Sequence, residues 1–288
     1  MVKSGWTKEI PISKGENIVS EKKSIERIPS PNTATSLQED FRKLGIERGM
    51  VLIVHSSLSS LGWVCGGPVA VVDALMKTVG EEGTIVMPTQ TSGNSDPAGW
   101  QNPPVPEEWW STIREEMPAY NSKFSPSRGM GQIVETFRTM PGVKRSQHPA
   151  YSFAAWGKYA DYILAEQPLE SGFGPDSPLG KIYQLDGSIL LLGVSHDSNT
   201  SLHMAEHSIQ DRKRVAKGAA LIEDGQRVWK TYEEIEYDAD IFENIGKQFE
   251  ETNPLKVATI GLATCKLMKQ RQIVDFAREY FNKGVQIN

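Results

Sequence analysis

The sequence predicts a single α/β domain: a central, largely parallel sheet flanked by helices, with a smaller antiparallel element towards the C-terminal part. Three observations carry this. Apolar runs of buried-strand length lie at residues 50–54, 83–88 and 188–194, each leading into a polar or glycine-bearing loop. The first two runs are separated by a helix-length segment, and strand–loop–helix–strand order implies parallel neighbours. Asp224-Gly225 lies between alternating segments within residues 221–236, which is a hairpin signal.

Composition narrows the class. Of the 288 residues, 39% are hydrophobic and 23% charged, as in an ordinary soluble globular chain able to bury a core. The net charge of −5 disfavours nucleic acid and anionic membranes as main partners. No run reaches membrane-spanning length, and the start of the chain lacks the apolar stretch of a signal peptide. Cys65 and Cys265 are far apart and form no metal-type pair, so a reducing, cytoplasmic setting is expected.

Taken in order, residues 1–32 are polar and lysine-rich with little periodicity. They read as an irregular extension that offers an extra strand or an oligomer contact, and a homodimer is among the expected states. The main domain is expected over residues 33–288. Residues 36–44 predict a helix, with Ser36 and Glu39 at capping-box spacing and Gly45 as its end. The first strand leads into a serine-rich loop at residues 55–62, and Gly66-Gly67-Pro68 opens the crossover helix. Residues 89–131 form a long proline- and tryptophan-rich insert of the kind that is usually functional, and Trp109 and Trp110 within it offer a wall for a ligand. A helix at 131–140, a strand at 151–156 and a helix at 159–167 follow. After the hairpin come helices at 240–249 and 266–281.

The chemistry concentrates at residues 188–212. The strand ends in Gly193, then Ser195-His196-Asp197-Ser198-Asn199-Thr200 supplies residues that cap helices, and residues 201–210 have helical spacing. Leu202, Ala205 and Ile209 share one face; His203, Glu206, His207 and Gln210 form the adjoining stripe. Three of the five histidines thus fall at the carboxyl end of one strand, where open α/β sheets place ligand crevices.

Several stretches together carry a resemblance. They are His55-Ser56-Ser57-Leu58, Met87-Pro88-Thr89, Ser95-Asp96-Pro97, Arg128-Gly129-Met130-Gly131, Arg145-Ser146-Gln147-His148-Pro149, Ser177-Pro178-Leu179-Gly180 and the run from Leu191 through His203-Met204-Ala205-Glu206. In order from about residue 36 to 280, the chain resembles the antibiotic N-acetyltransferase family, which contains the aminoglycoside 3-N-acetyltransferases. The resemblance implies an α/β fold unlike that of GCN5-type acetyltransferases, acetyl-coenzyme A as co-substrate, and no metal. It implies N-acetylation of the 3-amino group of 2-deoxystreptamine aminoglycosides, which confers resistance by removing a charge the drug needs.

Residue by residue, the resemblance makes His203 catalytic, with Glu206 in the same motif. It places His55, Ser56, Ser57, Leu58, Arg145 and Ser146 on the coenzyme side. Asp96 and the acidic stretch containing Glu234, Glu236 and Asp238 fall on the antibiotic side. One departure is Ser195, where a glycine is common in the family. The chemistry fits these residue types: an imidazole with an ordinary pKa of about 6.5 can take a proton from an amine near neutral pH. Glu206, one helical turn on, would orient or charge-stabilise that ring, and Thr200 or a nearby backbone amide would stabilise the oxyanion. Carboxylates would align a polycation through charge-assisted hydrogen bonds.

Three other readings compete. The same scaffold and histidine would serve an acetyltransferase acting on a different amine metabolite. A binding protein that sequesters a cationic drug without turnover would need no catalytic base. His203-Met204-Ala205-Glu206-His207 also matches H-x-x-E-H, a zinc-peptidase pattern that needs a third, distant ligand.

Overall fold

The computed structural model describes residues 16–283. In chain order the elements are α1 (Glu16–Glu26), α2 (Ala34–Leu44), β1 (Val51–Ser56), α3 (Gly67–Val79), β2 (Thr84–Pro88), α4 (Trp110–Glu116), α5 (Gln132–Thr139), β3 (Lys144–Arg145), β4 (Phe153–Gly157), α6 (Ala160–Leu164), α7 (Pro178–Gln184), β5 (Ser188–Leu192), α8 (His203–Glu206), β6 (Arg214–Glu223), β7 (Gln226–Ile235), α9 (Phe242–Thr252), β8 (Lys256–Ile260), β9 (Ala263–Lys269) and α10 (Gln270–Asn282).

Among the described residues, seven strands form one sheet in the order β3-β4-β2-β1-β5-β9-β8. β1 pairs in parallel with β2 on one side and with β5 on the other. The flanking pairs β2–β4, β3–β4, β5–β9 and β8–β9 are antiparallel, so β4 and β9 alone oppose the common strand direction. Successive strand residues point to opposite faces, and each face is covered. Leu52, Val54, Ile85 and Leu190 pack beneath α2, α3 and α5 through Leu37, Phe41, Leu75 and Phe137. Ile53, Val86, Ile189 and Leu191 pack beneath α7, α9 and α10 through Leu179, Phe249 and Ile273. Both neighbours of β1 diverge from it in connectivity, which makes its carboxyl end the switch point where a crevice opens.

The predicted hairpin is β6–β7, paired over its full length from Arg214↔Ile235 to Glu223↔Gln226. Asp224 and Gly225 both take positive φ, 48° and 76°, as a two-residue turn of the I′ kind demands. The insert at 89–131 folds onto this hairpin: the Tyr120 amide donates to the Ala220 carbonyl, and Arg227 Nε donates to the Met117 carbonyl at 3.1 Å.

Three sequence expectations need correction. The first helix is capped by Thr33 rather than Ser36: Ser36 is the third helical residue, and the two side chains cap each other's amides. The helix predicted at 201–210 shrinks to the single turn of α8. Ser195 and Asn199 cap two successive tight turns before it, Ser208 Oγ bonds back to the Ala205 carbonyl, and Asp211 takes φ 55°. Residues 266–269, expected to be helical, finish β9, the last strand added to β5. The first fifteen residues of the expected extension lie outside the described residues; its remainder contributes α1, which Glu21 ties to the Trp63 indole at 3.1 Å. No helix among the described residues is long and apolar enough to cross a membrane.

Candidate active site

The tight turns after β5 leave His203 at the start of α8, above the carboxyl ends of β1 and β5. Its Nδ1 lies 2.5 Å from Glu206 Oε2, one turn away on the same helix. Glu206 is buried, and its other oxygen accepts from Arg212 Nη2 at 2.7 Å and from the Asp238 amide at 2.9 Å. A buried carboxylate needs such partners to stay charged. The His203 ring stacks on Phe173 with centroids 4.9 Å apart, and Tyr237 and Phe242 meet it edge-on at 5.1 and 4.7 Å. The imidazole is therefore fixed in plane and direction, with Nε2 left as the nitrogen that has no hydrogen-bond partner among the described residues.

His203 lines a pocket of about 300 Å³ together with His55, Ser56, Gln90, Met130, Ser198 and Thr200. His55, on β1, is buried, and burial foremost, then the neighbouring His196 and His203, pushes its pKa down to about 3. It is thus a neutral imidazole. Ser56 Oγ and His55 Nε2 have no hydrogen-bond partner within the protein. Buried polar atoms without partners are uncommon, and two on one pocket wall fit a polar ligand.

The pocket adjoins a groove of about 710 Å³ along the serine loop. The two share Ser56, Gly129, Met130 and Ser198, and the groove adds Ser57, Leu58 and Ser59. The loop is braced internally: the Ser57 amide donates to Leu192, and Ser60 Oγ donates to Ser57 Oγ at 2.9 Å. Ser195, where a glycine was the family expectation, sits in an extended conformation (φ −91°, ψ −177°) that any residue adopts.

Arg145 and Ser146 are placed elsewhere. Both are buried under the insert. Arg145 Nε donates to Thr89 Oγ1 at 3.0 Å and Ser152 Oγ at 3.1 Å, Nη2 donates to the Thr89 carbonyl at 2.6 Å, and Nη1 reaches the Ser125 carbonyl. Ser146 Oγ donates to Gln167 at 2.7 Å. Arg145 tethers the insert to the sheet, Ser146 Oγ accepts from the Phe153 amide at the start of β4, and neither lines the pocket or the groove.

The acidic residues also divide. Asp96 and Glu236 line a separate groove of about 610 Å³ between the insert and the hairpin, with Arg114, Lys217, Tyr232 and Tyr237. Tyr237 touches the His203 ring, which connects this wall to the pocket that His203 lines. Asp96 is held in a two-pronged ion pair with Arg114. Burial works to raise its pKa, but the Arg114 contacts and the Ala98 amide outweigh it, so the carboxyl sits below its usual range. Glu234 is fully buried: Oε1 accepts from the Gly172 amide at 2.7 Å and from Tyr237 at 3.0 Å, and burial pushes its pKa up to about 7. Asp238 contributes its amide to Glu206 and its carboxylate to the Asp240 amide. Trp109 is 55% exposed, and neither it nor Trp110 lines the groove.

His207 faces away from His203: its Nε2 lies 2.9 Å from the Tyr237 hydroxyl. His203, Glu206 and His207 therefore do not converge on one point, and no three such side chains are grouped to hold a metal among the described residues. The aromatic cage of Phe173, Tyr237 and Phe242 went unforeseen, since their sequence neighbours give no signal. Gly129 and Met130 belonged to a motif already noted, with no role attached.

Comparison with known proteins adds the family. A family model described as aminoglycoside 3-N-acetyltransferase matches residues 53–282. The chain is 52% identical over 261 residues to the SPbeta prophage-derived aminoglycoside N(3')-acetyltransferase-like protein YokD of Bacillus subtilis, covering 90% of this chain and 96% of that protein. The YokD crystal structure superposes with a TM-score of 0.91, covering 93% of this chain and 99% of that one. A structure of AAC-IIIb with CoASH gives 0.79 at 30% identity, covering 90% and 99% of the two chains. One of AAC-VIa bound to sisomicin gives 0.80 at 29% identity, covering 88% and 98%. With most of its length matched, the chain belongs to the aminoglycoside 3-N-acetyltransferase family.

Proposed function

We propose that the chain transfers an acetyl group from acetyl-coenzyme A to the 3-amino group of the deoxystreptamine ring of aminoglycosides, with His203 as general base. The observation that carries the reading is the His203–Glu206 pair. Glu206 holds Nδ1 at 2.5 Å, and His203 lines a pocket that adjoins the serine-loop groove. The relatives with CoASH and with sisomicin support the two ligand classes.

Acetyl-coenzyme A supplies an activated acyl group with a thiolate as leaving group. The chain's own residues do the rest. His203 Nε2 takes the proton that the attacking amine releases as its N–C bond forms, and Glu206 compensates the imidazolium charge. Thr200, on the same pocket wall, offers a hydroxyl to the acyl oxygen. The ring cage excludes water from the imidazole face. Acetylation removes one positive charge from the drug, which gives resistance to a cell whose cytoplasm holds the enzyme.

One observation favours a second acceptor. Asp96 already holds Arg114, and Lys217 lines the same groove, so a less cationic amine metabolite fits there without displacing an ion pair.

The test is thiol release from acetyl-coenzyme A across an aminoglycoside panel, with His203→Ala alongside. The expected result is turnover that falls by about 10²–10⁴-fold in the variant while coenzyme binding persists. Wild-type turnover in the variant overturns the role of His203. Coenzyme binding with no drug turned over moves the acceptor to another amine.

A further inference from the structure

A third groove, of about 640 Å³, continues the serine-loop groove away from His203. The two share Ser24, Ser59 and Val194. The three cavities thus adjoin in a row, from the pocket lined by His203, past the serine loop, to the groove lined by Lys23 and Arg27 of α1. The charged side chains lining its far end are Lys23, Arg27 and Lys266, and no carboxylate lines it. This cationic end stands out on a chain whose net charge is −5.

The three cations reach the groove in different ways. Lys266, on β9, is anchored by Glu250 Oε1 at 2.5 Å, which fixes its ammonium against the wall. Lys23 and Arg27 are one helical turn apart on α1, so both project from the same side of the helix. Neither has an ion pair or hydrogen bond among the described residues. Their neighbours Lys22 and Glu26 pair with each other at 3.7 Å, and Glu21 docks the helix through Trp63 at 3.1 Å. The helix is thus held over the channel while its two channel-facing cations stay uncommitted. This segment lies before residue 53, where the family match begins.

We propose that Lys23 and Arg27 of α1, backed by Lys266, bind the phosphate groups of the coenzyme and so close the far end of the donor channel. The inference rests on the acetyl-coenzyme A reading. The acyl thioester is needed at His203, and the molecule's phosphates lie at its opposite end, so a channel with a histidine at one end and cations at the other matches its polarity. Two charge-assisted contacts to phosphate oxygens are enough to give the intact coenzyme a marked advantage over pantetheine, which has no phosphate.

The deciding experiment is calorimetric titration of the full chain with coenzyme A and with pantetheine, which needs no acceptor. The variants are K23E/R27E and, as a control on the adjacent side of α1, K22E. Wild type is expected to bind coenzyme A more tightly than pantetheine, with an advantage that shrinks as salt rises. K23E/R27E is expected to weaken coenzyme A binding by about 10- to 100-fold, leave pantetheine unchanged and keep the wild-type melting temperature. K22E is expected to bind like wild type. Wild-type coenzyme A affinity in K23E/R27E, or equal losses for coenzyme A and pantetheine, overturns the clamp. Failure of the wild-type protein to bind coenzyme A at all is a different result, and it overturns the donor reading on which the clamp depends.

Discussion

Arg114 occupies both oxygens of Asp96: Nε donates to Oδ2 at 3.0 Å and Nη2 to Oδ1 at 2.8 Å, both residues standing on the insert side of the groove between insert and hairpin. A guanidinium from the chain's own α4 thus sits where a drug's ammonium would have to bind if Asp96 recognises it. The substrate must displace or share that contact. Arg114→Ala is therefore expected to lower KM for a cationic aminoglycoside about 5-fold, roughly 1 kcal/mol for a partly exposed pair, with kcat little changed. Asp96→Asn is expected to raise KM. Steady-state kinetics on both variants checks this, and an unchanged KM in both removes Asp96 from the acceptor's path.

Glu206 tests how the base is held. Glutamine in its place keeps the shape but offers an amide where His203 Nδ1 meets a carboxylate at 2.5 Å, and it also withdraws the charge that Arg212 contacts at 2.7 Å. The imidazole then loses its fixed proton position and the partner for its charged form. Glu206→Gln is expected to cut kcat by about 10²–10⁴-fold with small changes in KM for either substrate. Activity near wild type would show that the ring cage alone orients the base.

Glu234 gives a pH-dependent prediction. Its folded-state pKa, about 7, lies above the ordinary 4.5, so between those values the folded chain keeps a proton that the unfolded chain has lost. Its stabilising contribution is full below about pH 4.5 and is lost as pH rises through about 7. Buried His55, His148 and His207, with pKa values pushed down to about 3, 4 and 4, act in the opposite sense, losing stability as pH falls below 6.5. A comparison with Glu234→Gln cancels the histidines. The variant is expected to gain on wild type by an amount on the order of 3 kcal/mol between pH 5 and pH 8 in urea unfolding. A difference independent of pH would refute the burial argument.

Much of this was legible in the sequence because the governing signals are local. The apolar runs at β1, β2 and β5 and the Asp224-Gly225 turn fix the parallel centre and the hairpin without reference to distant residues. Glu234 was misplaced for an equally physical reason. It was grouped with the acidic stretch that follows, yet on β7 it alternates with exposed Glu233 and shares the inward side with Tyr232. The β8–β9 pairing carries no Asn-Gly signal; its turn uses Gly261 at φ 59°, and the run into α10 masks where the strand stops. Arg145 was placed on the coenzyme side by the family resemblance alone, and its partners here, Thr89, Ser125 and Ser152, come from separate segments that only the fold unites.

Gly246 predicts a packing limit. On α9 it faces His196, and an added Cβ would come within 2.0 Å of the imidazole Cγ. That ring cannot retreat, because Nε2 is held by Glu250 at 2.7 Å and its amide by Glu243 at 3.0 Å. Gly246→Ala is expected to cost about 1–3 kcal/mol, despite alanine's better helix propensity, and to lower the melting temperature by several degrees. A variant as stable as wild type would mean that α9 shifts freely.

The position of β9 has a consequence for how the protein is made. β5 carries the turn that presents His203, yet one edge of β5 is covered by a strand drawn from residues 263–269. On a ribosome this partner emerges only after β6, β7, α9 and β8. Until it does, the nascent chain exposes a row of unpaired backbone groups along a strand that is apolar after Ser188, an arrangement open to intermolecular pairing. The sheet can therefore be completed only once residues 263–269 have left the ribosome, and a chain stopped short of residue 263 would keep that edge of β5 open to aggregation.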